Sequence, residues 1–108
     1  MVGKENIYYR VANVMNKSET DAFLRLFSPT VKNKFSIVLK DVASEEYINI
    51  PAIRTMLRIL EVVGCIEHHA INHGVNIVVK SRVDIWKIRT QILNKRCLEE
   101  NEDKMRRQ

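Results

Sequence analysis

The side chains of this sequence best suited to chemistry are basic, and two of them share one helical face. Arg54 and Arg58 lie four residues apart, so a helix places both on the same side. A guanidinium group can donate paired hydrogen bonds to a phosphate or to O6 and N7 of guanine. Thr55 lies beside them and can contact a phosphate or a thymine methyl group. Arg54, Thr55 and Arg58 are therefore candidates for binding a nucleic acid, and the alternative is two solvated surface arginines.

The basic residues are concentrated in a few segments. Residues 80–96 contain six basic residues against one acidic residue, and residues 44–79 contain two against four. We expect phosphate contacts from four of the basic side chains, namely Lys32, Lys34, Lys80 and Arg82. Lys32 and Lys34 are predicted at the start of a helix, where backbone N–H groups also favour an anion. Lys95 and Arg96 are interpreted as the solvated side of the last helix.

The histidine and cysteine residues do not have the spacing of a metal site or a catalytic site. His68 and His69 are adjacent, and adjacent residues of a strand point to opposite faces. Cys65 and Cys97 form no CxxC pair and are interpreted as free thiols. The sequence contains no glycine-rich phosphate loop, no GxSxG and no HExxH. We therefore expect no metal, no cofactor and no enzymatic activity.

Length and composition are typical of one small globular domain. The 108 residues are 45% hydrophobic and 29% charged, which excludes a low-complexity chain. The sequence shows no signal-peptide pattern and no apolar run that could span a membrane. We expect a soluble, cytoplasmic protein with one domain over residues 1–98 and a charged, flexible tail over residues 99–108.

Apolar spacing predicts five helices, because apolar residues recur at three- and four-residue steps. The predicted helices cover residues 5–16, 19–27, 29–43, 49–63 and 83–98. Ser18 and Asn49 are the expected N-caps of the second and fourth helices, and Gly64 is expected to end the fourth. Residues 44–49 are too few for a further helix and are predicted as a tight turn or a small strand.

Two segments rich in isoleucine and valine, residues 65–71 and 75–80, predict the strands of a β-hairpin. Asn72, His73 and Gly74 separate them, and the glycine is expected to supply the positive φ of a three-residue loop. The predicted fold class is therefore mainly α with a small β-hairpin.

The end of the fourth predicted helix and the following strand show a family resemblance. Residues 60–67 have the sequence Leu-Glu-Val-Val-Gly-Cys-Ile-Glu, in which Leu-Glu-x-x-Gly is followed by two apolar residues and a glutamate. In this motif and in the order of its predicted helices and strands, the chain resembles a winged helix-turn-helix domain with additional N- and C-terminal helices. It is similar to small bacterial and archaeal repressors of the arsenic-repressor and multiple-antibiotic-resistance-regulator type. It departs from them at residues 44–49, because these repressors place a short helix before the recognition helix.

The resemblance implies that residues 49–63 are a recognition helix for the major groove of double-stranded DNA, with Arg54, Thr55 and Arg58 contacting bases. It also implies a wing at the hairpin turn, where Asn72 and His73 would lie along the minor groove without any Lys or Arg. Such repressors form dimers through helices outside the DNA-reading part. The expected function is therefore transcriptional regulation by a sequence-specific, dimeric DNA-binding protein, with no inducer pocket in so short a chain.

Two questions stay open. The apolar stripes of the first and last helices either form a dimer interface or complete the core of one chain; they consist of Ile7, Tyr8, Val11, Val14, Met15, Ile85, Ile88, Ile92 and Leu93. The second alternative is a winged-helix module that binds a protein partner in a replication, transcription or segregation assembly. The uncharged hairpin turn and the Glu45-Glu46 pair favour a protein partner, whereas Arg54 and Arg58 favour DNA.

Overall fold

The computed structural model describes the backbone of residues 4–106 and the side chains of residues 7–101. Its elements in chain order are α1 (Lys4–Val14), α2 (Lys17–Leu26), β1 (Lys34–Val38), α3 (Leu39–Glu45), α4 (Ile50–Val62), β2 (Ile66–Ile71), β3 (Gly74–Val79) and α5 (Arg82–Arg106). The three strands form an antiparallel sheet in the order β1-β3-β2. The described chain is mainly helical, and this arrangement is compatible with a winged helix.

The predicted helix over residues 29–43 is wrong. Residues 34–38 form the strand β1 at one edge of the sheet. Helix α3 begins only at Leu39, inside the predicted segment, and ends at Glu45, two residues beyond it. Apolar residues here fit a helical period, but Phe35 and Ile37 also alternate as in a strand. Pairing with β3, from Lys34 opposite Val78 to Val38 opposite Gly74, selects the strand. The short helix α3 precedes α4, and the repressors that the sequence resembles also have a short helix at this place. The predicted departure from their pattern at residues 44–49 is therefore also wrong.

The ends of α2 and α4 show which local signals determine the helices. The Asn49 side chain accepts a hydrogen bond from the Ala52 N–H at 2.8 Å, as predicted for an N-cap. Gly64, with φ of +86°, follows the end of α4. Helix α2 begins earlier than predicted, because Asn16 is its N-cap and forms a reciprocal capping box with Glu19. Ser18 is therefore inside the helix and does not cap it.

Helix α4 lies at the centre of the core, where Ile53, Met56, Leu57 and Leu60 are fully buried. Most of the α1 and α5 stripe completes this same core, since six of its members are buried: Tyr8, Val11, Met15, Ile85, Ile88 and Ile92. Ile7, Val14 and Leu93 are exposed. The interpretation as the core of one chain is therefore confirmed for the six buried residues.

Helix α5 continues to Arg106, eight residues beyond its predicted end. The flexibility of residues 99–108 stays a prediction, and residues 107–108 lie outside the described part of the chain. None of the described helices is both long enough and apolar enough to cross a membrane.

Candidate nucleic-acid interface

The outer face of α4 presents the candidate base-contacting residues. The buried stripe of α4 faces the core, so Arg54, Thr55 and Arg58 are left exposed on the opposite side. Neither arginine makes a hydrogen bond or an ion pair with any residue whose side chain is described. Residues four apart on a helix have Cβ atoms about 5–6 Å from each other. The two guanidinium groups therefore form a pair of neighbouring, uncompensated positive charges.

Thr55 differs from the arginines because its hydroxyl is already used as a donor. Its Oγ1 donates to the carbonyl oxygen of Pro51 at 3.0 Å, one turn earlier on α4. An external ligand can therefore meet only the lone pairs of Oγ1 or the methyl group of Thr55.

The turn between α3 and α4 contains a residue that sequence reasoning missed. The Tyr47 side chain is 91% exposed, and its backbone has a φ of 53°. A non-glycine residue in this left-handed region costs about 1–3 kcal/mol, and no described contact of the side chain offsets this cost. The neighbouring Ile48 is buried and anchors the turn. A glycine or asparagine would suit this backbone better, so the exposed phenol is the unusual feature of the turn.

The hairpin turn has two residues and not three. Strand β2 ends at Ile71 and β3 begins at Gly74, so Asn72 and His73 form the turn and are exposed. The positive φ belongs to His73, at 64°, so the prediction that Gly74 supplies it is wrong. Glycine is needed at position 74 for another reason, because a Cβ there would lie 2.2 Å from the carbonyl oxygen of Ile37.

The hairpin turn is also attached to the start of α3. The Leu39 N–H donates to the carbonyl oxygen of His73 at 3.2 Å. The next residue, Lys40, is exposed and has no partner among the described side chains. This lysine was missed because the segment around it was predicted as the middle of a longer helix. Lys40 is thus a cation at the start of α3, next in the chain to Leu39, which contacts the hairpin turn.

Lys32 and Lys34 do not lie at the start of a helix, so that prediction is wrong. Lys32 is in the loop before β1, and Lys34 is the first residue of β1. Both are exposed and have no partner in the described part of the chain. They lie at the base of the hairpin, since Lys34 is opposite Val78 and the Val79 N–H donates to Asn33 O at 2.7 Å.

Lys80 and Arg82 are at the same base of the hairpin, but both hold parts of the fold. The Nζ atom of Lys80 donates to Glu67 Oε1 at 2.8 Å. This hydrogen bond, together with the positive charge of Lys80, lowers the pKa of Glu67 below its ordinary value. Arg82 donates to the carbonyl oxygens of Pro29 and Val31, and to Asn33 Oδ1 at 2.7 Å. Arg82 therefore fixes the 29–33 loop against the start of α5.

Three arginines of α5, seven residues apart, line the side of this helix that faces α2 and the 29–33 loop. Two turns further along α5 than Arg82, Arg89 Nη1 donates to the carbonyl oxygen of Leu24 at 2.7 Å and to that of Phe27 at 3.0 Å. Arg96 donates to Thr20 Oγ1 and binds the Asp21 carboxylate. A spacing of seven residues places all three on one face. Four of the six basic side chains of residues 80–96 are therefore engaged within the fold by hydrogen bonds or an ion pair.

The histidines form no metal site in the described part of the chain. Nδ1 of His68 lies 3.0 Å from Glu61 Oε2 without hydrogen-bond geometry, and the backbone N–H of His68 donates to the same oxygen at 3.1 Å. Among the residues described with side chains, no three His, Cys, Asp or Glu residues come together to hold an ion.

Comparison with models of known protein families and with curated protein sequences gave no match. The function is therefore inferred from the geometry of the chain itself.

Proposed function

We propose that this chain is a winged-helix protein that binds double-stranded DNA with sequence specificity and regulates transcription as a dimer. The observation that carries the proposal is the outer face of α4, where Arg54 and Arg58 are exposed and have no partner among the described side chains. This face belongs to the second helix of the α3–α4 pair, directly before the β2–β3 hairpin. A recognition helix has the same place in winged helix-turn-helix domains.

The dimensions of α4 suit the major groove. Its 13 residues give a length of about 20 Å, and a groove about 12 Å wide accepts a single helix. In this position, Arg54 and Arg58 donate to guanine O6 and N7 or to phosphate oxygens. Thr55 contributes a methyl contact, because its hydroxyl proton is held by Pro51.

Phosphate contacts are assigned to cations that have no partner within the described structure. Lys40 at the start of α3 and Lys32 and Lys34 at the base of the hairpin meet this condition. Lys80 and Arg82 contribute less, since their donors are already bound to Glu67 and to the 29–33 loop. Tyr47 adds a phenol O–H that can donate to a phosphate next to the N-terminus of α4.

Regulation would then follow from occupancy of the site. A dimer with two α4 helices binds two half-sites, and their spacing matches the two-fold symmetry of the protein. A bound dimer excludes other proteins from the same stretch of DNA, so the simplest regulatory effect is steric repression.

A second candidate function is protein binding by the same surface. The hairpin turn carries no Lys or Arg, and Tyr47 and Val62 are strongly exposed at the two ends of α4. Exposed aromatic and aliphatic side chains are typical of protein interfaces. A winged-helix module in a replication, transcription or segregation assembly is therefore the alternative.

The test is fluorescence anisotropy with a random-sequence duplex at several salt concentrations. The double variant Arg54→Ala/Arg58→Ala removes the proposed contacts. The matched control, Arg10→Ala/Lys95→Ala, removes from α1 and α5 two exposed charges that have no partner among the described side chains. We expect the slope of log K against log salt to fall by about one to two for the α4 variant. The control variant should keep the wild-type slope.

Equal weakening by both variants would assign the binding to general charge and contradict a specific role for α4. Absence of binding by the folded wild type at low salt would contradict DNA binding altogether and favour the protein-binding alternative. Where the wild type binds, selection from a random duplex library then yields the preferred sequence. Arg54→Ala alone should relax the preference at individual base pairs.

A further inference from the structure

A cavity of about 340 Å³ lies between the first turns of α5, the end of β3 and the loop that follows α2. Nearly all of the surface that lines it is apolar. The apolar residues of its walls are Pro29, Val31, Val79, Val83, Ile85 and Trp86. None of them belongs to the outer face of α4, so the cavity is separate from the candidate nucleic-acid interface.

The polar side chains of the cavity wall are used within the fold. Arg82 donates to two carbonyl groups of the 29–33 loop, and Arg89 donates to two carbonyl groups at the end of α2. Ser28 Oγ shares a hydrogen bond of 3.4 Å with Thr30 Oγ1. The two arginines therefore offer the cavity mainly the methylene groups of their side chains, and the serine offers no free donor.

The same arginines hold the walls of the cavity apart. Apolar walls that face water tend to close on each other, because closure removes apolar surface from water. Here the guanidinium groups of Arg82 and Arg89 are bound to the chain between Leu24 and Val31. These hydrogen bonds fix the distance between that segment and α5. The cavity is therefore preformed, as binding sites for small molecules usually are.

The volume of the cavity and the side chain of Trp86 define what can occupy it. A cavity of about 150 Å³ accommodates one benzene ring, so this cavity has room for about two fused rings. An α-helix, about 10–12 Å wide with its side chains, is too large to enter. The Nε1–H group of Trp86 has no acceptor among the described residues, and it can donate one hydrogen bond to a ligand.

We propose that this cavity binds an uncharged, planar molecule of about two fused rings with a single hydrogen-bond acceptor. The rings replace water against the apolar walls, and the acceptor receives the Nε1–H of Trp86. Sugars and nucleotides need several polar partners that these walls do not offer. A cation would also meet the positive charges of Arg82 and Arg89. The proposal adds a small-molecule site to a chain whose sequence predicts none, and it does not rest on DNA binding.

The first test is an NMR titration of the full chain with quinoline. Quinoline has two fused rings, is uncharged at neutral pH and has one ring nitrogen as acceptor. Trp86 is the only tryptophan, so the indole N–H signal in a proton–nitrogen correlation spectrum belongs to it. We expect this signal to shift saturably, with a dissociation constant below about 1 mM. N-methylquinolinium, which is cationic and has no acceptor, and quinaldate, the carboxylate derivative, should each bind at least about tenfold more weakly.

The second test changes the cavity. Val31→Phe fills it and should weaken quinoline binding at least about tenfold. Val62→Phe is the matched control, because Val62 is 79% exposed at the end of α4, and it should bind as the wild type does. Trp86→Ala removes one wall and the donor, and the 56% exposure of Trp86 makes the variant compatible with folding. Its binding, measured by calorimetry, should also fall at least about tenfold.

Circular dichroism verifies that each variant is folded. Absence of a saturable shift of the Trp86 signal would overturn the site. A folded Val31→Phe or Trp86→Ala variant that binds quinoline as the wild type does would overturn it as well. Tighter binding of quinaldate or N-methylquinolinium than of quinoline would overturn the uncharged class of ligand. All of these measurements are made without DNA, so their failure and the failure of the proposed function are distinguishable.

Discussion

The phenol of Tyr8 on α1 donates a hydrogen bond to the carboxylate of Asp84 on α5, and both side chains are buried. Asp84 is in the first turn of α5, where a negative charge is favourable. Its own N–H donates to Ser81 Oγ at 3.2 Å. The two terminal helices are thus joined by a buried polar contact in addition to their apolar packing.

Removing the Tyr8 hydroxyl should destabilise the protein. Tyr8→Phe leaves a buried oxygen of Asp84 without this donor, which costs about 1–3 kcal/mol in the free energy of unfolding. Urea denaturation at neutral pH measures the change. Tyr9→Phe is the matched control, because Tyr9 is the next residue of α1 and is 61% exposed. An equal effect of the two substitutions would contradict a specific contribution of the Tyr8–Asp84 contact.

Arg89 should contribute to stability and not to DNA binding. Arg89→Met retains most of the side-chain packing but removes the donors to Leu24 O and Phe27 O at the end of α2. We expect a loss of about 1.5–3 kcal/mol in unfolding free energy. Lys95→Met removes from the same helix a charge that has no partner among the described side chains, and it should change the unfolding free energy by less than about 0.5 kcal/mol. A lower salt slope of DNA binding for folded Arg89→Met would show instead that this arginine contacts phosphate.

Gly74 should be required for the pairing of β1 with β3. The added methyl group of Gly74→Ala would lie 2.2 Å from the backbone oxygen of Ile37, so the strands must separate locally. Hydrogen exchange should show faster exchange of the β1 amides. Gly64→Ala is the control, since its Cβ meets nothing within 4 Å although its φ is positive. It should lower stability without increasing exchange in β1, and similar exchange in both variants would contradict the steric explanation.

The contact between Glu67 and Lys80 should make the stability of the hairpin sensitive to acid. The Lys80 hydrogen bond and charge lower the pKa of Glu67 from its ordinary 4.5. A lowered pKa in the folded state stabilises the fold above the ordinary value, and this stabilisation is lost as the pH falls through the folded pKa. In Lys80→Gln the pKa of Glu67, followed by carboxyl NMR titration, should rise towards 4.5. An unchanged titration would show that Lys80 does not hold this carboxylate in solution.

Tyr47 should favour DNA binding at the expense of stability. Asparagine adopts positive φ more readily than tyrosine, so Tyr47→Asn should leave the melting temperature unchanged or raise it. The same variant should bind the duplex more weakly, because it loses the phenol donor. Val62→Asn, at the opposite end of α4, is the control and should bind as the wild type does. Wild-type affinity of Tyr47→Asn would remove Tyr47 from the interface.

Much of the fold follows from local signals in the sequence. Asn49, the apolar spacing of residues 53–60 and Gly64 predict α4 almost to its ends. The exposure of Arg54 and Arg58 follows from the same spacing, because it fixes which side of the helix is buried. The strand β1 could not be predicted in this way. Its apolar residues fit both periods, and its partner Asn76 lies 40 positions from Ser36 in the chain.

The sequence by itself determined the helix-rich class, the hairpin and the outward face of α4, since caps, turns and apolar periods act over a few residues. Only the tertiary structure decided which cations remain free. The sequence alone does not distinguish Arg82 and Arg89 from Arg54 and Arg58 as cations available to a ligand. The structure does, because carbonyl groups of α2 and of the following loop bind Arg82 and Arg89. The donors of an arginine are available to a ligand only when no distant group of the fold already accepts them, and that depends on packing over the whole chain.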